Sequence, residues 1–256
     1  MTYSNIRWIA ASAAALALST STELFLWSEA RAGDAVVPLK EAKLNIEHNA
    51  TDNDTGFQGA IDSEGWEKLT VTGPGGEVLL SFNGRGKLGS LGLTELFFET
   101  VEPENKEVPI DEMLAKLPEG KYKIEGPVME NGEKGGRTVG TAWLTHDIPA
   151  GPALLSPAGK ATVPAGDLAV RWEPVTKTIK GTDVKIIAYQ LIIEKDEEPH
   201  KHMIGKRGLS MYLPASVTEI TVPKGFLEPA TPYKWEVLAI EESGNQTLSS
   251  SEFKTR

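Results

Sequence analysis

The sequence predicts an all-β protein made of two tandem β-sandwich domains, the first with one short helix. Three observations predict it. Short runs of alternating apolar and polar residues recur along the chain, separated by turns drawn from its 25 Gly and 16 Pro. A single segment carries the i, i+3, i+4, i+7 apolar spacing of an amphipathic helix. A connector with two prolines and a glycine, residues 147–152, splits the length into two portions of ordinary domain size.

Residues 1–32 read as an export signal. Arg7 supplies a positive start, residues 8–18 form an apolar run, and Ala30 and Ala32 are the small residues a signal peptidase reads, leaving Gly33 first. The run is short for a membrane span and Ser19 to Glu23 interrupt it. The expected location is therefore periplasmic or secreted, with no membrane span after cleavage.

Residues 33–148 form the first domain. Alternation places strands at 43–47, 66–71, 77–82, 93–99, 121–125 and 138–145. Gly73, Pro74, Gly75 and Gly76 turn the chain between the second and third of these. Ile110, Met113, Leu114 and Leu117 form the helical stripe, with Pro109 at its start and Pro118 at its stop. The glycine-rich residues 84–92 read as a hairpin loop. They do not stand between a strand and a helix, where a phosphate cradle belongs. Residues 149–152 are the linker proper, short and stiff.

Residues 153–256 form the second domain. Leu227, Pro229, Thr231 and Tyr233 recur every second residue before an alternating strand and a polar turn at Gly244. Residues 168–174 with Trp172, 187–193 with Tyr189, and 218–222 supply three further strands in order. Together these resemble a fibronectin type III module. The resemblance implies a seven-stranded sandwich, with Trp172 in the core and Tyr233 as a corner tyrosine whose hydroxyl bonds to upstream backbone. It also implies binding or spacing through displayed loops, with no catalysis. Residues 241–247 and 195–214 are the expected display loops, the latter long enough for an extra edge strand. In the first domain, LPEGKYKIEG resembles the strand entry of bacterial immunoglobulin-like and transthyretin-like modules. Residues 49–66 resemble exported bacterial proteins of unassigned function.

Composition narrows the function. The chain has no cysteine, which excludes disulfides, thiol catalysis and thiolate metal sites. Residues 33–150 hold 21 acidic and 11 basic side chains, whereas residues 151–256 hold 13 of each. An acidic surface repels phosphate backbones, so nucleic acid is excluded as a partner. The expected partner is a protein or a glycan. No G-x-S-x-G, H-E-x-x-H or G-x-x-x-x-G-K-[ST] pattern occurs.

Asp52 and Asp54 are the candidate metal ligands. Two carboxylates at spacing two, with Asn49, Asn53 and Gly56 beside them, can wrap a calcium ion. The third acid and the distal glutamate of a full calcium loop are missing, and the same residue types build ordinary turns. His200 and His202 form an H-x-H pair, half of a zinc or copper site. His48 and His146 are isolated. The rival reading is a carbohydrate-binding accessory or small hydrolase with its site in the first domain. An exposed Trp66 or Trp143 in a concave face favours sugar. Carboxylates converging in a deep pocket favour an enzyme.

Overall fold

The computed structural model describes residues 35–130 and 133–256, leaving the expected signal segment outside the described residues. The first lobe contains β1 (Val36–Pro38), β2 (Glu41–Asn49), β3 (Asp54–Trp66), β4 (Lys68–Thr72) and β5 (Val78–Asn83). It continues with α1 (Gly86–Gly89), β6 (Leu93–Glu99), α2 (Ile110–Leu114), β7 (Gly120–Glu130) and β8 (Glu133–Leu144). The second lobe contains β9 (Leu154–Ser156), β10 (Ala161–Val163), β11 (Ala169–Trp172) and β12 (Ile186–Lys195). Its remaining strands are β13 (Gly208–Pro214), β14 (Glu219–Thr221), β15 (Pro232–Glu241) and β16 (Gln246–Thr255). The protein is all-β, and among the described residues no helix is long and apolar enough to cross a membrane.

In the first lobe, β2, β3 and β6 pair antiparallel and face β4, β7 and β8. Alternation buries one side of each strand. Leu44, Ile46, Phe57 and Ile61 from one layer meet Leu69, Val71, Tyr122, Ile124 and Leu144 from the other. Met113 and Leu114 of α2 join this core, as the helical stripe requires. Two local details differ from expectation. Residues 54–66 form one long strand ending at Trp66, so the run expected at 66–71 is divided between β3 and β4. Residues 84–92 contain a single helical turn, α1, rather than a plain hairpin loop.

In the second lobe, β9, β11 and β14 form a three-stranded sheet. It packs on β13, β12, β15 and β16, through a core holding Trp172, Tyr189, Trp235 and Phe253. The strand order is that of a fibronectin type III sandwich, β9 to β16 without β10 supplying A, B, C, C′, E, F and G. Trp172 is 2% exposed and meets Tyr189 edge-on, with ring centroids 5.5 Å apart. The Tyr233 hydroxyl accepts a hydrogen bond from the Glu228 N–H at 2.8 Å, as a corner tyrosine should. The edge strand expected within residues 195–214 is β13, which takes the C′ position and so belongs to the seven rather than adding to them.

The lobes share a sheet. Gln246, Thr247 and Leu248 of β16 run parallel to Glu47, His48 and Asn49 of β2. The connector is bonded at both ends. Ile148 is fully buried in the first core, the Ala150 N–H reaches the Lys177 carbonyl at 2.8 Å, and the Thr247 hydroxyl donates to the Pro149 carbonyl at 2.6 Å. At Gly151 a β-carbon would lie 2.4 Å from that of Ala50 and 2.8 Å from Ser249 Oγ, so the close approach of the chain to these side chains requires glycine.

Residues 241–247 are displayed only in part: Glu242 is exposed, whereas Glu241, Asn245 and Thr247 are buried. Asn245 is fully buried. Its Oδ1 accepts from the Ile46 N–H at 2.9 Å and its Nδ2 donates to the Thr145 carbonyl at 3.0 Å. Buried Glu241 holds the turn, accepting from the N–H groups of Ser243 and Asn245 and from the Ser243 hydroxyl. The polar residues that make a free turn attractive in sequence are spent on the lobe junction instead.

Candidate functional site

The β2–β3 hairpin carries Asp52 and Asp54. Asn49 Oδ1 accepts from the N–H groups of Thr51 and Asp52, both at 3.0 Å, and Asn49 Nδ2 donates to Asp52 Oδ2 at 2.8 Å. Asn53 sits at φ 58°, a left-handed position that asparagine tolerates. These are turn interactions, and they employ Asn49 and Asp52. Asp54 lies in the strand beyond the turn. Its Oδ1 is buried without a hydrogen-bond partner, as is Asn105 Oδ1, whose own Nδ2 reaches Asn53 Oδ1 at 3.3 Å. Burial, with the Asp52 charge nearby, raises the Asp54 carboxyl above its usual range. On the paired strand, opposite Thr55, His48 Nδ1 contacts the Asp54 carbonyl at 2.9 Å and the Thr55 hydroxyl at 3.1 Å. Burial lowers the pKa of this imidazole.

One step along the same sheet lies an acidic group that sequence reasoning missed. Carboxylate oxygens of Glu47, Glu99 and Glu102 lie within 4.8 Å of one another. Burial, followed by the charges of Glu47, Glu99 and Asp54, pushes the Glu102 carboxyl up to about 7. Glu47 is raised too, chiefly by burial, although Gln246 donates to it across the lobe junction. The three come from β2, the end of β6 and the segment after it, and no local spacing connects them. They line neither the groove described below nor the cavities of about 200, 410, 470 and 520 Å³ elsewhere on the molecule.

The histidine pair lies between β12 and β13. The ring centroids of His200 and His202 are 5.5 Å apart, and the His202 N–H donates to His200 Nδ1 at 3.3 Å. Both are exposed. Among the described residues no third ligand group joins them in a metal-sized cluster. Residues 195–207 are fastened at their base by Arg207, which pairs with Glu197 at 2.7 Å and Glu228 at 3.2 Å.

A groove of about 690 Å³, larger than those four cavities, lies at the lobe junction. Two strand edges create it. β16 pairs only with residues 47–49 of β2, and β1 pairs only with residues 137–139 of β8. Residues 42–45 and 141–144 therefore have no strand on those edges among the described residues, and both stretches contribute to the groove wall. Alternation along β8 turns Ala142 and Leu144 inward and Thr141 and Trp143 outward. Trp143 is 61% exposed, whereas Trp66 is 1% exposed and belongs to the core. A bulge between Ile186 and Ala188 in β12 leaves Ile187 48% exposed on the opposite rim. The turn of Glu242, Ser243 and Gly244 completes the wall, and the 2.7 Å hydrogen bond between Thr145 and Ser243 fixes the two lobes there.

No protein-family model matches the chain, and no curated protein matches it. Among solved structures it is similar to a segment of two fibronectin type III domains from chicken tenascin. Identity is 12% and the TM-score 0.31, covering 85% of this chain and 99% of that one. It is also similar to the FN1–FN3 domains of chicken CNTN1, at 12% identity and TM-score 0.31, covering 88% of this chain and 66% of that one. The assignment of the second lobe rests on its strand order and core residues rather than on these overlaps. Fold and site together define an all-β protein with a fibronectin type III-like lobe and an open groove where that lobe meets a second sandwich.

Proposed function

We propose that the chain is an exported, non-catalytic binding or spacer protein of a bacterial envelope, and that the junction groove is its binding site. The observation that carries this is the exposed Trp143 in a concave wall. A large aromatic left in solvent at the mouth of a cavity of ligand-sized volume is characteristic of recognition surfaces. The export half of the reading rests on the amino-terminal sequence. The non-catalytic half rests on the likeness of the second lobe to fibronectin type III modules in strand order and core residues. Expression in a bacterial host with fractionation and intact-mass measurement tests export: a chain beginning at Gly33 in the periplasm or medium supports it, and an unprocessed cytoplasmic chain overturns it. Capture from an envelope extract tests the groove. Thr141→Arg, which fills it, should release what the wild-type chain retains.

A second reading concerns calcium. The two buried oxygens without partners, Asp54 Oδ1 and Asn105 Oδ1, favour it, with Asp52 at the rim of the same turn. A site with so few carboxylates would be weak, about 10⁻⁴–10⁻³ M, as in extracellular modules. Ten-millimolar calcium should raise the melting temperature by mass action, and Asp54→Asn should cancel most of the rise. An unchanged melting temperature overturns the reading and leaves the hairpin as a turn.

A further inference from the structure

We propose that the junction groove binds a polysaccharide, with one sugar ring stacked on Trp143. The inference rests on the groove being the binding site. Four features select a glycan. The Trp143 indole is exposed on the outward side of a paired strand, so the side from which it projects is set by the sheet before any ligand arrives. The C–H face of a pyranose is apolar and matches an indole in breadth. Ile187, brought out by its bulge, offers a second apolar contact across the groove. Between them, the Asn45 amide and the Thr141 hydroxyl line the groove and form no hydrogen bond with the described residues, so their donors and acceptors are free for sugar hydroxyls.

An added peptide strand is the competing occupant, because two strand edges flank the groove. Lys43 argues against it. This lysine projects from the exposed side of β2 at the groove, paired with Glu41, and charged side chains on an edge strand, lysine above all, protect it from strand addition. A glycan needs side-chain contacts and leaves the backbone edge to water.

The volume of about 690 Å³ and the open form suit a chain that passes through the groove rather than a single enclosed sugar. Sugar hydroxyls are neutral, so binding should vary little with salt, unlike capture of a basic protein by the acidic lobe.

The test uses the full exported chain on an array of bacterial and plant polysaccharides, together with co-sedimentation with peptidoglycan sacculi. At least one polysaccharide should bind, and Trp143→Ala should weaken binding at least tenfold. Asn45→Ala and Thr141→Val should each weaken it severalfold. Melting curves of all three variants should match wild type, because these side chains lie outside both cores. Acrylamide quenching of tryptophan emission should fall when the glycan binds, and this change should vanish in Trp143→Ala. Failure to bind any of these polysaccharides, or binding indifferent to Trp143→Ala, overturns the inference. If polysaccharides fail while Thr141→Arg still releases an envelope protein, the groove remains a binding site and the ligand is a peptide. If neither responds, both readings fall.

Discussion

The two lobes solve the same folding problem with different degrees of self-sufficiency. Each is a sandwich with a corner tyrosine. In the first lobe the Tyr122 hydroxyl donates to the Pro118 carbonyl at 2.6 Å, and in the second the Tyr233 hydroxyl accepts from the Glu228 N–H at 2.8 Å. Each has a fully buried tryptophan, Trp66 in one and Trp235 in the other, with Trp172 nearly so. Each completes its apolar core from its own residues. The first nevertheless borrows a polar partner: the Ile46 N–H finds its acceptor in Asn245 of the other lobe. The net acidity also lies wholly in the first lobe, where carboxylates crowd the β2–β3–β6 face. On that difference the second lobe, neutral in charge, is expected to stand alone, and the first, which borrows a backbone partner and carries like charges, to depend on its neighbour.

Removing a core tryptophan should have the largest effect. Trp172→Ala and Trp66→Ala should each cost about 3–5 kcal/mol. Denaturation followed by probes in each lobe separates two outcomes. If the lobes unfold as one unit, either variant shifts a single transition. If they are independent, each variant shifts only its own. The fragment 153–256 sharpens this. It should fold cooperatively alone, while 33–148 alone should be much less stable, because the Ile46 N–H loses its acceptor. An unfolded spectrum for 153–256 would break the comparison.

Asn245→Ala should cost about 1–3 kcal/mol, since it leaves the Ile46 N–H buried and unpaired. Its effect should be larger in the first lobe, although the mutation lies in the second. Tyr122→Phe and Tyr233→Phe should each cost about 0.5–1.5 kcal/mol, losing a hydrogen bond but keeping the ring. Burial, followed by the Glu77 charge, pushes the Tyr122 hydroxyl up to about 12, so it stays a donor at any ordinary pH.

The smallest expected effect is a pH dependence confined to the first lobe. Folded Glu102 holds its proton up to about 7, whereas its ordinary value is 4.5. The folded state therefore binds a proton that the unfolded chain releases, and stability declines as pH rises between those values. Glu47, also raised, acts in the same direction. Allowing for solvent screening at this half-buried site, the loss should be about 1 kcal/mol. Glu102→Gln should flatten the slope and raise the melting temperature at pH 8. His48, lowered by burial, works against this slope below its ordinary value, so a slope left unchanged by Glu102→Gln would remove the account.

Much of the fold was legible because alternation is a local signal. β6 falls where the pattern of residues 93–99 places it, and α2 begins after Pro109, at Ile110. Trp172, Tyr189 and Tyr233 lie where the fibronectin type III resemblance puts them. Less of the candidate site could be read. Asp52 and Asp54 share a hairpin, as their spacing implies, yet the turn employs Asp52 while Asp54 lies beyond it. The cluster of Glu47, Glu99 and Glu102 left no trace in spacing. The turn at residues 241–247 resembles an exposed loop in composition because asparagine and serine serve a solvent turn and a buried junction with the same hydrogen-bonding groups.

By itself, the sequence determined the all-β class, most strands of both lobes though not β1, β3, β9 or β10, the amphipathic helix α2 and the corner tyrosine of the second lobe. Each depends on residues a few positions apart, whose periodicity decides which side chains share a face. Only the tertiary structure decided that β16 runs beside β2, that Asn245 serves Ile46 199 residues away, and that Trp143 rather than Trp66 faces solvent. The two tryptophans have similar strand surroundings in sequence. Alternation puts each on one face of its strand, but which face the rest of the molecule covers is settled by long-range packing, which local periodicity does not encode.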